Sequence, residues 1–219
     1  MAEEALVRCY VLRLDEVRGQ CERLLSSVAP RYAACARNMF ERGTAGAEKA
    51  GLCQLGEGWL LRDICGVERD EQIVIGKFGK PDLASGTQHV SITNTDDLVV
   101  LAVAGEVVGV DAEPVKDEGP SRIELLTLAK ALGVPREERG ESLERMAVLA
   151  PNPLELARQW TRVEAILKGI GCGFGVEPAE YLPLMEAWQC AWVQHAGCVI
   201  CAATQTMPHI ELEEFASRC

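Results

Sequence analysis

The chain has 219 residues, of which 48% are hydrophobic and 25% charged, a composition typical of globular proteins. Its formal net charge of −11 argues against a nucleic-acid-binding protein. No apolar run approaches the roughly 18 residues that a membrane-spanning helix needs, and the acidic start MAEEALVRCY is unlike a secretory signal, so we expect a cytoplasmic protein.

The first half of the chain predicts a strand, then helices, then more strands. Residues 7–14 have the pattern of a first strand, and residues 72–83 begin as a strand that ends at Gly79-Lys80-Pro81. Pro81 fixes its own φ and holds Lys80 extended. The predicted helical stretches between them are 15–26, 31–40 and 51–66.

Two β-branched runs follow the alternating segment 90–97. Residues 98–110 read LVVLAVAGEVVGV, and the break at Gly105-Glu106 predicts a β-hairpin with a tight turn. Runs this continuous indicate strands that are buried on both faces.

Two acids stand at the end of the second run, in the sequence VVGVDAEP. Side chains alternate along a strand, so Asp111 and Glu113 are predicted to point the same way, with Cα atoms about 6.6 Å apart. That spacing lets two carboxylates share one hard cation, whereas without a cation they raise each other's pKa. The alternative is that the strand ends at the surface and both acids are solvated.

The second half predicts helices followed by strands. Ser121 and Glu124 form a capping box that opens a helix through Leu132, and Asn152-Pro153 is an N-cap and first-turn pair. The intervening segment 134–152 is polar or mixed and is predicted to be a helix or a loop. Two strands are predicted within 187–205. Strands, helices and strands in this order favour an α+β fold over an alternating parallel one.

The helix from Pro153 carries a charged pair beside its apolar stripe. Glu164 and Lys168 are four residues apart on the edge of the stripe, so they are predicted to face a boundary between core and cleft. The alternative is an exposed ion pair that contributes about 0.3–0.5 kcal/mol. The glycines of residues 169–175, GIGCGFG, follow a helix rather than a strand, and predict a helix end and a loop rather than a dinucleotide site. The apolar stripe consists of Leu156, Trp160, Val163 and Leu167.

The ten cysteines are scattered, and in a reducing compartment we expect free thiols. Cys198 and Cys201 form a CxxC, but no second pair or nearby histidine follows at zinc spacing. In a strand the two sulfurs would face opposite ways, which favours a structural role over thiol redox chemistry.

Three stretches together resemble the phosphopantetheinyl transferases: GKFGKP (76–81), GVDAEP (109–114) and WTRVEAILKGIGCGF (160–174). Each motif alone is weak, but the combination in this order and spacing is specific. The length resembles the long, surfactin-synthetase-activating type. That resemblance implies two similar α/β halves fused as a pseudo-dimer, with antiparallel sheets, packed helices and an active site between the halves. The predicted division is 1–105 for coenzyme A binding and 106–219 for the metal-binding acids and the catalytic helix.

Members of this family transfer the phosphopantetheine arm of coenzyme A to a serine of an acyl or peptidyl carrier protein, and release adenosine 3′,5′-bisphosphate. The resemblance implies that Asp111, Glu113 and Glu164 hold Mg²⁺. Glu164 is also implied as a candidate base, and Lys168 as a phosphate contact that protonates the leaving group. Lys80, with Pro81, is implied to bind coenzyme A phosphate or adenine-side groups.

The sequence departs from the family pattern at two places. Thr93-Asn94-Thr95 stands where members often have Ser-His-Ser, with the histidine on the 3′-phosphate of coenzyme A. Asn94 carries no charge, although Thr93 and Asn94 can still hydrogen-bond a phosphate. Val163 replaces a lysine that usually precedes the helix glutamate. The N-terminal basic residues of the family have no firm match here; the candidates are Arg37, Arg42 and Lys49.

Two alternatives remain open at this stage. One is a catalytically weakened homologue that binds coenzyme A or a nucleotide, and the other is a magnesium-dependent phosphodiesterase that uses the same three acids. For the leading hypothesis the expected partners are a carrier protein and coenzyme A, with neither nucleic acid nor membrane. The fused halves imply a monomer. Carrier recognition is expected around residues 115–150 and the loop after Lys168.

Overall fold

The computed structural model describes residues 4–135, 137–138 and 142–215, and it has a mixed α+β fold. The strands are β1 (Glu4–Arg13), β2 (Ile73–Ile75), β3 (Pro81–Leu83), β4 (His89–Asn94), β5 (Leu98–Ala104), β6 (Gly109–Pro114), β7 (Gln189–His195), β8 (Cys198–Thr204) and β9 (Met207–Glu214). The helices are α1 (Leu14–Gly19), α2 (Cys21–Ser27), α3 (Pro30–Phe40), α4 (Ala45–Cys65), α5 (Arg122–Ala131), α6 (Ser142–Leu149), α7 (Pro153–Ile170) and α8 (Pro178–Met185).

Two sheets have the same order of connections. In the first, β1 is followed by four helices and then by the antiparallel hairpin β4–β5, and the strand order is β4-β5-β1. In the second, β6 is followed by four helices and then by the antiparallel hairpin β7–β8, and the order is β7-β8-β6. Strand β9 then joins the first sheet, parallel to β1, and β2 and β3 form a separate small hairpin.

The two sheets enclose an apolar core, and helices cover the outer faces. Alternate residues of β1, β5, β6 and β8 form the core between the sheets, including Val100, Val110 and Ile200. The intervening residues pack against the helices, as Val99 does on the N-terminal side. Strands β5 and β8 are therefore buried along their whole length, as the continuous apolar run of β5 predicted.

The predicted hairpin of residues 98–110 is wrong. Strand β5 pairs with β4 and β1, whereas β6 pairs with β8 of the other sheet, so Gly105-Glu106 lies in a link between sheets. The local pattern of two apolar runs and a glycine fits both a hairpin and such a crossover. Only the pairing with β8, about ninety residues further along the chain, distinguishes the two.

The predicted helix ends are confirmed at the two helices of the second half that matter for the site. The Asn152 side chain accepts a hydrogen bond from Glu155 N at 2.9 Å, and Gly171, with φ of 80°, ends α7 in the left-handed conformation. The Ser121 and Glu124 capping box opens α5. Within 134–152, residues 136 and 139–141 lie outside the described residues, and the remainder includes α6.

None of the described helices is both long enough and apolar enough to cross a bilayer.

Candidate metal centre

The site is built from one strand and one helix. Val110 and Ala112 of β6 face the core between the sheets, so Asp111 and Glu113 project from the opposite face, toward α7. Helix α7 places Glu164 there, and one carboxylate oxygen from each of the three acids lies within 4.8 Å of the others. The prediction that the two strand acids share a face is thus confirmed.

Gly109 allows the helix to come close enough. A Cβ atom at this position would lie 1.8 Å from the carbonyl oxygen of Ala165 and 2.5 Å from the backbone nitrogen of Gly169. No side chain can fit between β6 and α7 at that distance. The glycine in GVDAEP therefore sets the separation between the strand acids and the helix acid.

Asp111 is buried, and its two carboxylate oxygens have different surroundings. Oδ1 accepts hydrogen bonds from Thr93 Oγ1 at 2.8 Å and from Lys168 Nζ at 2.6 Å. Oδ2 has no hydrogen-bond partner among the described residues, although it is shielded from solvent. A buried carboxylate oxygen without a partner is costly, and a cation would satisfy it.

The donor set fits a hard divalent cation. Mg²⁺ is bound by carboxylate oxygens and keeps several waters, and it is commonly held by few protein ligands together with substrate phosphates. Asp111 Oδ2 and one oxygen each from Glu113 and Glu164 are the ligands that the geometry makes available. The charges also balance, because three carboxylates and the single ammonium of Lys168 leave two negative charges.

Bringing the three acids together in a buried site raises the pKa of each of them. Burial, reinforced by the charges of Asp111 and Glu164, raises the pKa of Glu113 to about 7. Burial followed by the charge of Asp111 raises the pKa of Glu164, while Lys168 and a hydrogen bond from Trp160 oppose the shift. Burial also raises the pKa of Asp111, against the opposing effects of Lys168 and Thr93. A bound cation would reverse these shifts.

Lys168 is an integral part of the site rather than half of an exposed pair. Its amine lies 2.6 Å from Asp111 Oδ1, 2.9 Å from Thr93 Oγ1 and 3.9 Å from Glu164 Oε2. Its side chain is 28% exposed. An ammonium has three N–H donors, and Asp111 and Thr93 take two of them.

Strand β4 links the site to the first sheet. Thr93 is buried and reaches Asp111, while the Ser91 hydroxyl accepts a hydrogen bond from Val110 N at 3.0 Å. The next residue, Asn94, is exposed and donates from Nδ2 to Glu57 Oε1 of α4 at 2.8 Å. Sequence reasoning missed Glu57, because an isolated acid in a helix gives no pattern that relates it to a distant strand.

Lys80 and Pro81 lie in the β2–β3 hairpin, and neither forms a hydrogen bond or ion pair with the three acids among the described residues. Pro81 begins β3, and the Lys80 amine donates to the carbonyl oxygens of Val108 at 2.9 Å and Gly169 at 3.5 Å. Burial lowers the pKa of Lys80. These contacts fasten the β2–β3 hairpin to the start of β6 and the end of α7. A contact between Lys80 and coenzyme A stays a prediction.

The three basic candidates of the N-terminal half are scattered. The Arg37 guanidinium donates to the carbonyl oxygen of Leu25, and Lys49 forms an ion pair with Asp96. Arg42 is exposed just beyond the end of α3. They do not form one cluster of hydrogen-bonded groups, and a phosphate contact by any of them stays a prediction.

Two apolar cavities lie on the α5 side of the acids. One, of about 220 Å³, is lined by Glu113, by apolar residues that include Ile123 and Leu156, and by further charged residues that include Lys116 and Glu124. The other, of about 350 Å³, is lined by Glu164 and by residues that include Phe174 and Tyr181. Trp160 lines both cavities and stacks on Phe174 with ring centroids 5.7 Å apart. The metal site therefore opens on apolar space on this side.

The CxxC cysteines have separate structural environments. Cys198 is buried in the core between the sheets, and Cys201 is buried in the core beneath the C-terminal helices. The prediction that a strand would place them on opposite faces is confirmed, and the sheet separates their sulfurs.

No family model matches the sequence, and no curated protein matches it.

Proposed function

We propose that this protein transfers the phosphopantetheine arm of coenzyme A to a serine of an apo acyl or peptidyl carrier protein, in a magnesium-dependent reaction that releases adenosine 3′,5′-bisphosphate. The observation that carries the proposal is the unpartnered, buried Oδ2 of Asp111, which lies among three carboxylates and beside Lys168. This arrangement suits a cation and a diphosphate together. The three sequence motifs suggest the reaction class, and residues of two of them, Asp111, Glu113, Glu164 and Lys168, lie together at this place.

Asp111, Glu113 and Glu164 would hold the cation. When bound, Mg²⁺ neutralises negative charge on the diphosphate as the phosphorus–oxygen bond breaks. The residues themselves fix the position of the diphosphate, because Asp111 is held by Thr93 and Lys168 and cannot rotate freely.

Glu164 supplies the base in this mechanism. A serine hydroxyl is a weak nucleophile unless a base takes its proton. Glu164 lines the larger of the two cavities, from which a serine can approach. The serine oxygen forms a bond to the phosphopantetheine phosphorus, its proton passes to Glu164, and the bond to the bridging diphosphate oxygen breaks.

Lys168 stabilises the leaving phosphate. Two of its three N–H donors bind Asp111 and Thr93, which leaves one for a phosphate oxygen. Its ammonium is then hydrogen-bonded to the oxygen that gains negative charge, and can donate a proton to it. The other product is adenosine 3′,5′-bisphosphate.

The cavities suit the pantetheine arm. The arm is uncharged and ends in a thiol, and both cavities beside Trp160 are lined largely by apolar side chains. Ile123 is 77% exposed at the rim of the smaller cavity. An exposed apolar residue at this place suits a carrier protein that approaches from the α5 side.

The repeated order of strand, helices and hairpin supports a pseudo-dimer of two similar halves with the active site between them. Strand β6 of one half and β4 of the other supply Asp111 and Thr93, which are hydrogen-bonded across the junction. In this account the protein acts as a monomer in the cytoplasm.

The nucleotide products distinguish the proposal from its alternatives. Incubation with coenzyme A and Mg²⁺, followed by chromatography, should show adenosine 3′,5′-bisphosphate only when an apo carrier is present, in an amount equal to the carrier consumed. Release at the same rate without a carrier would indicate the phosphodiesterase. Binding of coenzyme A without any release on acyl and peptidyl carriers would indicate the binding homologue.

A further inference from the structure

Two cysteines meet on neighbouring strands of the second sheet, beneath the C-terminal helices. Cys190 of β7 lies opposite Ala203 of β8, and Cys201 is two residues before Ala203. The two cysteines are therefore diagonal neighbours on one face of the sheet, and both belong to the core beneath the helices. Both are free thiols. The fold thus pairs Cys201 with Cys190 rather than with Cys198, its neighbour in the CxxC.

The two thiols have different surroundings. Cys190 is half-buried and interacts with the guanidinium of Arg162 from α7, whereas Cys201 is fully buried. A hydrogen bond from Cys201, together with the charge and a hydrogen bond of Arg162, lowers the pKa of Cys190 against the effect of burial. Burial raises the pKa of Cys201, as it raises those of Cys9 and Cys198. Cys190 is therefore the thiolate of the pair, and Cys201 is the thiol.

The arrangement suits stepwise oxidation. The Cys201 thiol donates to the Cys190 sulfur, and a thiolate is a stronger acceptor than the carbonyl oxygen of Ala202, which lies 3.8 Å from the same thiol. An accessible thiolate is the species that oxidants attack, and a second thiol in contact with it converts the oxidised sulfur to a disulfide.

The pair adjoins the metal centre through β8. Cys201 stands directly opposite Asp111 of β6, and both side chains face α7. The Cα atoms of diagonal neighbours lie about 7–8 Å apart, whereas a disulfide needs about 4.4–6.8 Å. A disulfide between Cys190 and Cys201 would therefore draw β7 and β8 together.

Contacts of β7 resist its share of that movement. Trp192 Nε1 donates to the carbonyl oxygen of Arg158 in α7 at 3.3 Å, and His195 Nε2 lies 3.3 Å from Glu214 Oε1 of β9. Strand β8 would therefore move as well, together with β6, to which it is hydrogen-bonded. Asp111 would shift relative to α7, which carries the third acid of the metal centre.

We propose that Cys190 and Cys201 form a reversible redox pair, which peroxides oxidise to a disulfide, and that this disulfide weakens the metal centre. The Cys190 sulfur attacks one oxygen of hydrogen peroxide, the O–O bond breaks, and the other oxygen leaves as hydroxide. The Cys201 sulfur then attacks the oxidised Cys190 sulfur, an S–S bond forms, and the S–O bond breaks to release a second hydroxide.

The reaction balances in atoms and electrons. The two hydroxides take up the protons of the two thiols, so two thiols and one peroxide give one disulfide and two waters. The two sulfurs supply the two electrons that reduce the peroxide. Two molecules of a small thiol reverse the oxidation by exchange and leave as their own disulfide. The redox pair does not depend on the proposed transfer function, whereas its effect on the metal rests on the proposed metal centre.

Peptide mapping tests the redox pair. The metal-free protein is treated with hydrogen peroxide near neutral pH, the remaining thiols are alkylated, and the digest is analysed by mass spectrometry. We expect a disulfide between Cys190 and Cys201 that a small thiol removes. Cys198→Ser is the matched control, because Cys198 is the other CxxC cysteine, and it should leave this disulfide unchanged. A disulfide formed elsewhere, or none at Cys190 and Cys201 in folded protein, overturns the inference.

Isothermal titration tests the effect of the disulfide on the metal centre. The affinity for Mg²⁺ should fall by about tenfold on oxidation and recover after treatment with a small thiol that is removed before titration. Cys190→Ser cannot form the disulfide and should bind Mg²⁺ equally before and after peroxide. Equal affinities of the reduced and the oxidised wild-type protein overturn the inference. If the reduced protein binds no Mg²⁺, the proposed function fails at its metal centre, and the mapped disulfide still decides the redox pair.

Discussion

At the scale of single residues, the two carboxylate oxygens of Asp111 have different surroundings. Oδ1 is fixed by Thr93 and Lys168, whereas Oδ2 has no hydrogen-bond partner among the described residues and is the oxygen proposed to bind a cation. Asp111→Asn keeps the size and removes the charge, so we expect Mg²⁺ affinity to fall by more than about tenfold and transfer to be lost. Isothermal titration with Mg²⁺ measures the first effect.

The Asp111→Asn test is valid only if the variant folds, because the substitution also leaves Lys168 without its closest negative partner. Circular dichroism and the melting temperature provide that control. A folded variant that binds Mg²⁺ as the wild type does would contradict the assignment of Asp111 as a ligand.

Glu113 gives the site a pH dependence. Burial and the neighbouring acids raise its pKa to about 7, and a metal ligand must be deprotonated, so Mg²⁺ bound at the proposed site would displace a proton below that pH. The apparent affinity for Mg²⁺ should rise by up to about tenfold per unit from pH 6 to 7 and then level off. Glu113→Gln should bind more weakly with a flatter profile between pH 6 and 8. An equally steep profile in that variant would assign the proton to another group.

The same shift affects stability in the absence of metal. The folded pKa of Glu113 lies above its value of 4.5 in the unfolded chain, so the folded state holds the proton more tightly. This contribution to stability is complete below about pH 4.5 and is lost as the pH rises through about 7. Added Mg²⁺ should therefore raise the melting temperature more at pH 8 than at pH 6.

At the scale of elements, the contact between β6 and α7 sets the geometry of the acids. Gly109→Ala would place a methyl group against the backbone of Ala165 and Gly169, and α7 would have to move. We expect a loss of about 3 kcal/mol or more in the free energy of unfolding, and a larger loss of Mg²⁺ affinity than stability alone explains. Denaturant unfolding and titration measure the two effects.

Gly105→Ala provides a matched control, because a Cβ at Gly105 would meet nothing within 4 Å. It should change stability by less than about 0.5 kcal/mol. Similar losses in both variants would show that the link between β5 and β6, rather than the contact with α7, is sensitive.

At the scale of the whole molecule, β9 joins the two halves. It extends from the second half and pairs with β1 of the first, and Phe215 beyond it packs edge-on against Trp59 with ring centroids 5.2 Å apart. Phe215→Ala should cost about 3–5 kcal/mol, because this buried ring fills part of the N-terminal core. Thermal unfolding should remain a single transition.

Met207→Ala is the control for Phe215→Ala, since Met207 is on the same strand and 44% exposed. It should stay within about 0.5 kcal/mol of the wild type. Two separate unfolding transitions in either protein would contradict the cooperation of the halves through β9.

The chain's local patterns were sufficient to predict the start of α5, both ends of α7 and the shared face of Asp111 and Glu113, whereas the predicted helix 15–26 is two helices and the predicted helix 51–66 begins at Ala45. Asn152, Ser121 and Gly171 act through hydrogen bonds or backbone angles within a few residues, which a sequence displays directly. Glu164 and Lys168 were found because helical spacing relates them.

What local patterns could not give is the pairing between distant segments. The same two runs fit a hairpin or a crossover, so the position of β6 beside β8 was missed, and β9 was not predicted at all. The contact of Glu57 with strand β4 has no local signal either, because its hydrogen-bond donor is Asn94, thirty-seven residues further along the chain. The division at residue 105 remains a prediction, although β9 carries the second half into the first sheet.

The intact mass of a carrier protein tests the central claim most directly. Purified protein, coenzyme A and Mg²⁺ are incubated with an apo acyl carrier and, separately, with an apo peptidyl carrier. The account predicts that at least one carrier gains the mass of a single phosphopantetheine arm, and that the gain disappears with a chelator or when the carrier serine is replaced by alanine. Carriers of both classes left unmodified by folded, magnesium-loaded protein would contradict it.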